Sequence, residues 1–420
     1  MQAELIQIKR LPPYAFEQVD RLKAATRAEG IDVIDFGMGN PDLPAPRHVV
    51  EKMLEVSADL RASRYSVSKG IAGLRRAQAR YYSRRFNVKL NADSEVVVTL
   101  GSKDGFANTA RAITGPGDVV LAPDPSYPIH AFGFLMAGGV IRSIPATPDD
   151  SFLRALDRAL RHSVPKPIAL VLNFPSNPTG HSATLDFYRD VVAFARRHEI
   201  VILSDLAYAE IYFDGIEPPP SVLQVPGAID VAVEFTSLSK TYSMPGWRVG
   251  FAVGNARLLT ALSRVKSYLD YGAFVPIQVA AIAALDGSDA CIRHARETYR
   301  RRRDVLVKSF SLAGWVLPRP TSTMFIWTRI PEKFAHLRSL EFAKLLMRKC
   351  GIAVAPGVGF GENGEGYVRL ALCENQDRIR QAARRIKKLL SVDSRPTRAG
   401  RSVAPSLHAR SLSKVLCSSV

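Results

Sequence analysis

Short apolar runs alternate with longer amphipathic segments along most of the chain. The runs are apolar throughout rather than at every second position, which is typical of strands buried on both faces of a sheet. Their alternation with helical patterns, such as Gly105–Ile113, Leu185–His198 and Ala256–Leu269, predicts βαβ units around a mostly parallel sheet. The seven predicted strands are Val96–Leu100, Asp118–Ala122, Val140–Ile144, Ile168–Leu172, Ile200–Ser204, Ala232–Thr236 and Arg248–Val253.

The pattern changes after about Ser288, where the elements predict a smaller α+β domain. A basic helix is followed by a short strand, a second helix, a pair of strands and an amphipathic closing helix. These elements are predicted at His294–Leu312, Met324–Trp327, Ser339–Lys349, Ile352–Ala355, Tyr367–Ala371 and Asp377–Leu390.

The chain is predicted to divide into four parts. Residues 1–47 are predicted to form an N-terminal arm and part of the small domain, and residues 48–287 the large α/β domain. Residues 288–390 complete the small domain. The polar segment 391–420, with scattered Arg, Ser and Pro, is predicted to be a disordered or loosely ordered tail.

Composition and charge narrow the class of protein. The 420 residues include 57 Lys and Arg against 39 Asp and Glu, a formal net charge of +18. Because 47% of the residues are hydrophobic and only 23% are charged, the chain is not a disordered polyelectrolyte. A net charge of this size is compatible with binding to nucleic acid or to a membrane surface.

The distribution of the charge argues against a nucleic-acid function. The segment Glu199–Trp247 contains seven acidic residues and one basic residue. The run Arg300–Arg303 lies in a helical pattern and is predicted to be a solvent-exposed helix face. A regulator that used the predicted α/β domain as a sensor would need a DNA-binding domain in addition to it. The segment after Ser391 shows no helix-turn-helix pattern. We therefore expect no specific nucleic-acid partner.

Targeting signals and metal ligands are not recognisable in the sequence. The N-terminus lacks the apolar core of a secretory signal, and no apolar run reaches the ~18 residues of a membrane span. The cysteines Cys291, Cys350, Cys373 and Cys417 form no CxxC pair and no metal-ligand spacing. We expect a cytoplasmic protein with reduced cysteines, no bound metal and no membrane partner.

The strongest chemical signal is the segment Ser237–Phe251, SLSKTYSMPGWRVGF. Lys240 follows an apolar strand, is flanked by hydroxyl residues and precedes Arg248 by eight positions. A lysine removed from bulk water has a lowered pKa and can form a Schiff base with an aldehyde. Hydroxyl groups and a guanidinium are also the partners that a bound phosphate needs. On its own, Lys240 would be an ordinary surface lysine, so the neighbouring segments matter.

Two further segments follow predicted strands. Asp205 in SDLAYAEIYFDG ends an apolar strand, where open α/β sheets bind ligands, and Tyr208 follows three residues later. A buried aspartate needs a cationic partner such as a protonated pyridine nitrogen, although Asp205 could equally cap the next helix. In the turn sequence NFPSNPTG, Asn177 could donate a hydrogen bond to a ligand oxygen.

A fourth segment, TLGSKDGFAN at Thr99–Asn108, reads as a strand, a Gly-Ser-Lys turn and a helix. The free N–H groups at the start of that helix, together with Ser102, would form a phosphate site. The segment matches neither GxGxxG nor GxxxxGK[ST], so dinucleotide and nucleoside-triphosphate sites lack their signatures.

Taken together, Lys240 with Arg248, Asp205 with Tyr208, the NPTG turn and the Gly-Ser-Lys helix start resemble the class I/II aminotransferases. These are pyridoxal-phosphate (PLP) enzymes of the aspartate-aminotransferase fold, fold type I. The resemblance runs from about Leu11 to Leu390. Stretches such as LPPYAF, IDFGMGNPD, RYSVSKGIAGLR and VRLALCEN further resemble bacterial glutamate–pyruvate (alanine) aminotransferases, which neighbour the LL-diaminopimelate aminotransferases.

The resemblance implies a role for each matching residue around PLP. Lys240 would hold PLP as a Schiff base and then move the proton between the substrate α-carbon and the cofactor. Asp205 would keep the pyridine nitrogen protonated, while Tyr208 and Asn177 would bond to the phenolic oxygen. The other predicted cofactor contacts are Tyr127 on the ring face and Ser102, Lys103, Ser237, Arg248 and the partner subunit's Tyr65 at the phosphate.

The resemblance also implies how substrates bind. Arg369 would bind the substrate α-carboxylate through its planar guanidinium, with Gly39 packed nearby and with Asn177 and Tyr127 alongside. No second arginine for a distal carboxylate can be assigned, and Ala273 stands where a hydroxyl residue is expected. The expected enzyme is a homodimer with shared active sites.

The implied reaction is ping-pong transfer of an amino group between an L-amino acid and a 2-oxo acid. L-Alanine with 2-oxoglutarate, giving pyruvate and L-glutamate, is the favoured pair. LL-Diaminopimelate, aspartate and other amino acids remain alternatives, and a PLP-dependent β-lyase is a further one.

Overall fold

A seven-stranded sheet lies at the centre of this computed structural model, which describes residues 6–9, 11–213 and 215–391. The strands are β1 (Ile34–Asp35), β2 (Val96–Thr99), β3 (Val119–Asp124), β4 (Val140–Pro145), β5 (Ala169–Asn173), β6 (Val201–Asp205), β7 (Ala232–Ser237), β8 (Gly250–Gly254), β9 (Phe325–Arg329), β10 (Ile352–Ala353), β11 (Ala355–Pro356) and β12 (Tyr367–Ala371). The central sheet has the order β2-β8-β7-β6-β5-β3-β4.

The strands of this sheet are parallel except for β8, which runs antiparallel to both β2 and β7. Each of the seven predicted strands is present within two residues at either end. The mostly parallel α/β sheet of the large domain is therefore confirmed.

The helices described are α1 (Ile6–Lys9), α2 (Ala15–Ala28), α3 (Arg47–Ser57), α4 (Ala72–Phe86), α5 (Ser102–Ile113), α6 (Ile129–Met136), α7 (Asp150–His162), α8 (Leu185–His198), α9 (Leu238–Thr241), α10 (Ala256–Leu269), α11 (Val275–Asp286), α12 (Ala290–Leu312), α13 (Ser339–Cys350) and α14 (Gln376–Ser391). Local sequence explains their ends. At α8, for example, the Thr184 hydroxyl accepts a hydrogen bond from the Phe187 N–H, and Glu199 ends the helix with a φ of 56°.

Two hydrophobic clusters cover the two faces of the central sheet. Val96 and Val98 of β2 belong to one cluster, whereas Val97 between them belongs to the other. This division follows from the two-residue period of a strand, which turns successive side chains to opposite faces. Both faces are covered, which is why inner strands such as β3 and β5 are apolar at nearly every position.

A third cluster lies in the smaller α+β unit. There β12 pairs antiparallel with both β9 and β11, while β1 from the N-terminal part pairs parallel with β10. The predicted strand Ile352–Ala355 is thus two short strands in two different sheets. The third cluster also includes Ala207, Tyr208, Ile211 and Phe213, which follow β6 of the large domain.

The run Arg300–Arg303 corrects one expectation, because half of it is not a solvent-exposed face. Arg302 and Arg303 are 7% and 0% exposed. The Arg302 guanidinium binds both carboxylate oxygens of Asp42 at 2.6 and 2.7 Å, and Arg303 donates to the Pro320 carbonyl at 2.9 Å. These arginines fix α12 to the N-terminal arm and to the loop before β9.

Further expectations concern metal ligands, cysteines, membrane spans and domain boundaries. Among the described residues, no cluster of potential metal ligands is present, and Cys291, Cys350 and Cys373 are free. No single described helix is long and apolar enough to cross a membrane; only the α11–α12 pair, bent by 80°, meets that criterion jointly. The domain boundaries stay predictions, and the predicted tail lies outside the described residues except for Ser391.

A buried carboxylate anchors the strand that leads to Lys240. Glu234, in β7, is fully buried and accepts hydrogen bonds from four groups. The donors are the hydroxyls of Tyr82 (2.9 Å), Ser204 (3.1 Å) and Ser221 (2.5 Å) and the N–H of Val222 (3.1 Å). Burial raises the pKa of Glu234, while these donors act in the opposite direction.

We predict that Glu234→Ala lowers the free energy of unfolding by at least about 3 kcal/mol, because it leaves several buried donors without an acceptor. Glu234→Gln keeps one acceptor oxygen and should cost less. Urea denaturation followed by circular dichroism measures both, with the exposed Glu55→Gln as a control expected to stay within ~0.5 kcal/mol. Equal losses for Ala and Gln would show that the hydrogen bonds do not matter.

Candidate active site

Three neighbouring strands end side by side at one edge of the central sheet. Asn173, Asp205 and Ser237 are the last residues of β5, β6 and β7, and Asn173 pairs directly with Asp205 in the sheet register. Because parallel strands present their carboxyl ends at the same edge, these polar side chains meet at one place.

A cavity of about 420 Å³ opens at this edge, within the usual range for small-molecule sites. Its wall contains every predicted site residue except Tyr65. Those residues are Gly39, Ser102, Lys103, Tyr127, Asn177, Asp205, Tyr208, Ser237, Lys240, Arg248 and Arg369. The structure therefore brings together side chains from both the large and the small unit.

Lys240 lies on the one-turn helix α9, directly after β7. The Ser237 hydroxyl caps this helix by accepting from the Ser239 N–H at 3.1 Å. The ammonium group donates to the Gly39 carbonyl at 2.6 Å. Burial lowers the pKa of Lys240 to about 8, and the nearby cations of Arg369 and Arg248 act in the same direction. A sizeable fraction of the amine is thus neutral near physiological pH.

Asp205 is buried and held from two sides. Its Oδ2 lies 3.0 Å from Nε2 of His130, whose Nδ1 in turn lies 2.6 Å from the Ser126 hydroxyl. Its Oδ1 accepts from the Ala207 N–H at 3.2 Å. These contacts orient the carboxylate, which lines the cavity where a ring nitrogen would need a negative partner.

Asn177 and Tyr208 present polar groups to the same cavity. The Asn177 N–H is held by Oδ1 of Asn173 at 2.9 Å, and its own Oδ1 accepts from Arg369 at 2.8 Å. Within the described chain, neither the Asn177 Nδ2 nor the Tyr208 hydroxyl has a hydrogen-bond partner. Both groups are thus free to donate to a ligand oxygen.

The start of α5 forms a narrow site with Arg248. The first N–H groups of a helix lack intrahelical partners and favour an anion. Arg248 is anchored by donating to the Leu100 carbonyl at 3.1 Å. Gly101 has a φ of +90°, and a Cβ on Gly250 would lie 2.5 Å from the Ser102 nitrogen. A side chain at Gly250 would therefore collide with the backbone at the start of α5, and one at Gly101 would collide with the Arg248 guanidinium.

Arg369 is a buried cation without a buried counter-ion. Its guanidinium donates to Asn177 Oδ1 at 2.8 Å and to the Gly37 carbonyl at 3.0 Å, while its Nε has no partner. It lies over the rings of Phe325 and Phe360, at 4.0 and 4.8 Å from their centroids. Burial lowers the pKa of Arg369 to about 10. None of the described carboxylates pairs with it, so a carboxylate ligand would satisfy it.

Three aromatic and basic residues complete the predicted set. Tyr127 lies at the cavity, and burial raises the pKa of its hydroxyl to about 12. The Lys103 ammonium lies 5.9 Å from the Tyr127 ring centroid. Tyr65 is 85% exposed and lies away from the cavity of its own chain. Its ring centroid is 4.7 Å from that of Tyr271. Its predicted role belongs to a partner subunit and stays a prediction.

Several residues at or beside the cavity are not predicted from the sequence. His130 is fully buried and contacts Asp205, and its position four residues after Ser126 is the one sequence signal for its contact with that serine. Asn173, Phe360 and Lys23 line the cavity through contacts that join distant parts of the chain.

The fold and this constellation define an aminotransferase. The sequence model of the family "Aminotransferase class I and II" matches residues 31–386. The chain belongs to this family, whose members depend on PLP.

Curated relatives agree in class and differ in named substrate. The putative aminotransferase AatC of Rhizobium meliloti is 68% identical over 92% of this chain and 96% of its own length. The glutamate-pyruvate aminotransferase AlaC of Escherichia coli is 51% identical over 92% and 93%. The LL-diaminopimelate aminotransferase of Moorella thermoacetica is 39% identical over 92% and 98%.

A solved structure supports the fold assignment. A single-mutant aspartate aminotransferase of Thermus thermophilus superposes with a TM-score of 0.85 at 27% identity, covering 93% of this chain and all of the other. The aspartate-aminotransferase-like fold is therefore shown.

The cavity fits PLP on structural grounds. A partly neutral amine, an oriented carboxylate, two free donors and an anion site at a helix start surround one space. Lys240 would bind the carbonyl carbon, Asp205 the ring nitrogen, and Ser102 with Arg248 the phosphate.

We predict that the rate at which the PLP-free protein binds PLP covalently rises with pH, is half-maximal near pH 8 and levels off above about pH 9. Only the neutral amine attacks the carbonyl, and Lys240 has a pKa of about 8 rather than 10.5. Stopped-flow absorbance of the bound cofactor measures the rate.

Lys240→Ala is the control for this measurement and should show no covalent binding. A wild-type rate that keeps rising tenfold per pH unit up to pH 10 would mean that the pKa of Lys240 is not lowered.

Proposed function

We propose that this aminotransferase transfers the amino group of L-alanine to 2-oxoglutarate, giving pyruvate and L-glutamate in two half-reactions. The 51% identity to the glutamate-pyruvate aminotransferase AlaC supports this pair. That the enzyme acts on an L-amino acid and a 2-oxo acid follows from its family membership.

The observation that carries the proposal is the unpaired Arg369 in the same cavity as the buried Lys240. A buried guanidinium without a counter-ion favours a ligand with a carboxylate. Both α-amino acids and 2-oxo acids have this carboxylate next to the reacting carbon. Arg369 would therefore hold that carbon in a fixed position relative to the Lys240 amine.

The residues of the chain would then divide the work. Arg369 would bind the α-carboxylate, and the neutral Lys240 amine would take the proton from the α-carbon and deliver it to the carbon of the bound cofactor. When bound, PLP supplies an electron sink for the charge left on the α-carbon. Asp205, oriented by His130, holds a proton on the ring nitrogen. Tyr208 donates to the phenolic oxygen.

Alternatives differ in side chain or in reaction. LL-Diaminopimelate is the main alternative substrate, because relatives with that name are about as long as this chain and 39% to 43% identical. Aspartate and other amino acids follow, and a PLP-dependent β-lyase is less favoured because Arg369 and the aminotransferase pattern occur together.

We further propose a homodimer in the cytoplasm. A surface group of aromatic residues supports the dimer: Tyr65, Tyr268, Tyr271 and Phe274 are 85%, 88%, 63% and 47% exposed. Exposed aromatic groups of this kind favour burial against another protein surface. The absence of a CxxC pair among the four cysteines supports a cytoplasmic location.

We predict that L-alanine converts the bound PLP of the holoenzyme into its pyridoxamine form with release of pyruvate and no ammonia. 2-Oxoglutarate should then regenerate the starting absorbance. A panel of donors and acceptors compared by kcat/KM ranks L-alanine against LL-diaminopimelate and L-aspartate. Ammonia release would indicate a lyase, and a higher kcat/KM for another donor would replace alanine.

We also predict that Tyr65 acts across the dimer. Tyr65→Ala and Lys240→Ala homodimers should each lose most activity, whereas mixing and refolding the two chains should restore about a quarter of wild-type activity. The restored dimers have one site with both an intact Lys240 and the partner subunit's Tyr65.

Light scattering measures the mass in the same samples, expected at twice the 46.1 kDa of one chain. A mixture that regains no activity although hybrid dimers form would place Tyr65 outside the partner's site.

A further inference from the structure

A second cation lines the active-site cavity on the side of α2. The Lys23 ammonium lies 2.7 Å from Oδ1 of Asp20 and 2.8 Å from Oδ2 of Asp35. All three residues belong to the same cavity wall as Lys240 and Arg369. The Lys23 and Asp35 side chains are largely buried, whereas the Asp20 side chain is 45% exposed.

The two carboxylates that hold Lys23 are not equivalent. Asp35 also accepts from the N–H groups of Gly37 and Met38, at 2.9 and 3.2 Å, so moving it would leave those donors without a partner. In the described chain, the Asp20 carboxylate has Lys23 as its single hydrogen-bond donor. Because the Asp20 side chain is 45% exposed, water can solvate its carboxylate when it leaves Lys23. Another carboxylate can therefore replace Asp20 at low cost.

Lys23 is linked directly to the predicted site of the substrate α-carboxylate. Arg369 donates to the Gly37 carbonyl at 3.0 Å, the Gly37 N–H donates to Asp35, and Asp35 accepts from Lys23. Only two residues thus separate the two cations. A ligand with one carboxylate on Arg369 and a second at the far end of a short chain would extend toward Lys23.

We propose that Lys23 determines specificity for dicarboxylic substrates by binding the distal carboxylate of glutamate and 2-oxoglutarate in place of Asp20. This inference rests on the proposed function, which requires one monocarboxylic and one dicarboxylic pair. With alanine or pyruvate bound, Asp20 stays on Lys23, so no unpaired cation faces a methyl group. The exchange lets one cavity accept side chains of different charge.

The test compares half-reactions of the holoenzyme in Lys23→Met. Its kcat/KM for L-glutamate and 2-oxoglutarate should fall about 10- to 100-fold, because a charge-assisted contact is lost. The kcat/KM values of this variant for L-alanine and pyruvate should stay within about threefold of the wild-type values. Lys52→Met is the matched control, since Lys52 also pairs with a carboxylate three residues away, Glu55, but lies on α3 outside the cavity.

Asp20→Asn provides a second variant whose effect has the opposite sign. Removing the competing charge should lower KM for 2-oxoglutarate several-fold but should not improve the alanine half-reaction, because Asp20 no longer covers the Lys23 ammonium beside the methyl group. Asp20 is half-exposed, so this variant stays informative if Lys23→Met fails to fold. Raising the salt concentration should reduce this decrease in KM, because salt screens the attraction between Lys23 and the distal carboxylate.

Three outcomes would overturn the inference. They are equal losses for alanine and glutamate in Lys23→Met, unchanged glutamate kinetics in that variant, and a selective loss of glutamate in Lys103→Met instead. A wild-type enzyme that uses glutamate but not alanine refutes the proposed function and leaves the Lys23 test intact. A wild-type enzyme that ignores glutamate refutes both.

Discussion

The common edge at which β5, β6 and β7 end is the constraint on which the active site depends. Sheet pairing fixes Asn173, Asp205 and Ser237 relative to one another within the tolerance of backbone hydrogen bonds. Glu234 adds side-chain contacts that hold β7 from within the core. Lys240 follows on a single capped turn, so little flexible chain separates the reactive amine from the rigid sheet. A nucleophile placed in this way has little main-chain freedom to lose when it reacts.

The part of the cavity around Arg369 is formed by other elements of the chain. Arg369 lies on β12 of the small sheet, and its partners belong to the loop after β1 and to the turn after β5. In the proposed roles, substrate recognition would therefore depend on how the two units pack, whereas cofactor binding would depend mainly on the large one. Tyr208 joins the two, because it follows β6 but packs in the hydrophobic cluster of the small unit.

Much of this arrangement could be predicted from the sequence, for identifiable reasons. Strands buried on both faces leave long apolar runs, and Asp205, Lys240 and Asn177 lie at the end of such a strand or within four residues of it. Contacts between distant segments leave no comparable pattern. The burial of Arg302 depends on Asp42, the orientation of Asp205 depends on His130, and the place of Lys23 depends on how α2 packs. Likewise, Ile352–Ala355 could not be divided between two sheets without knowing that β1 pairs there.

The glycines of the phosphate end have a consequence for the evolution of this enzyme. At Gly250 a side chain would collide with backbone atoms rather than with movable side chains, so that wall has almost no freedom to vary. The part of the cavity wall on α2 is built from side chains instead, among them the half-exposed Asp20. New substrate preferences should therefore arise by mutation of α2, and laboratory selection for altered donors would start best from libraries confined to that helix.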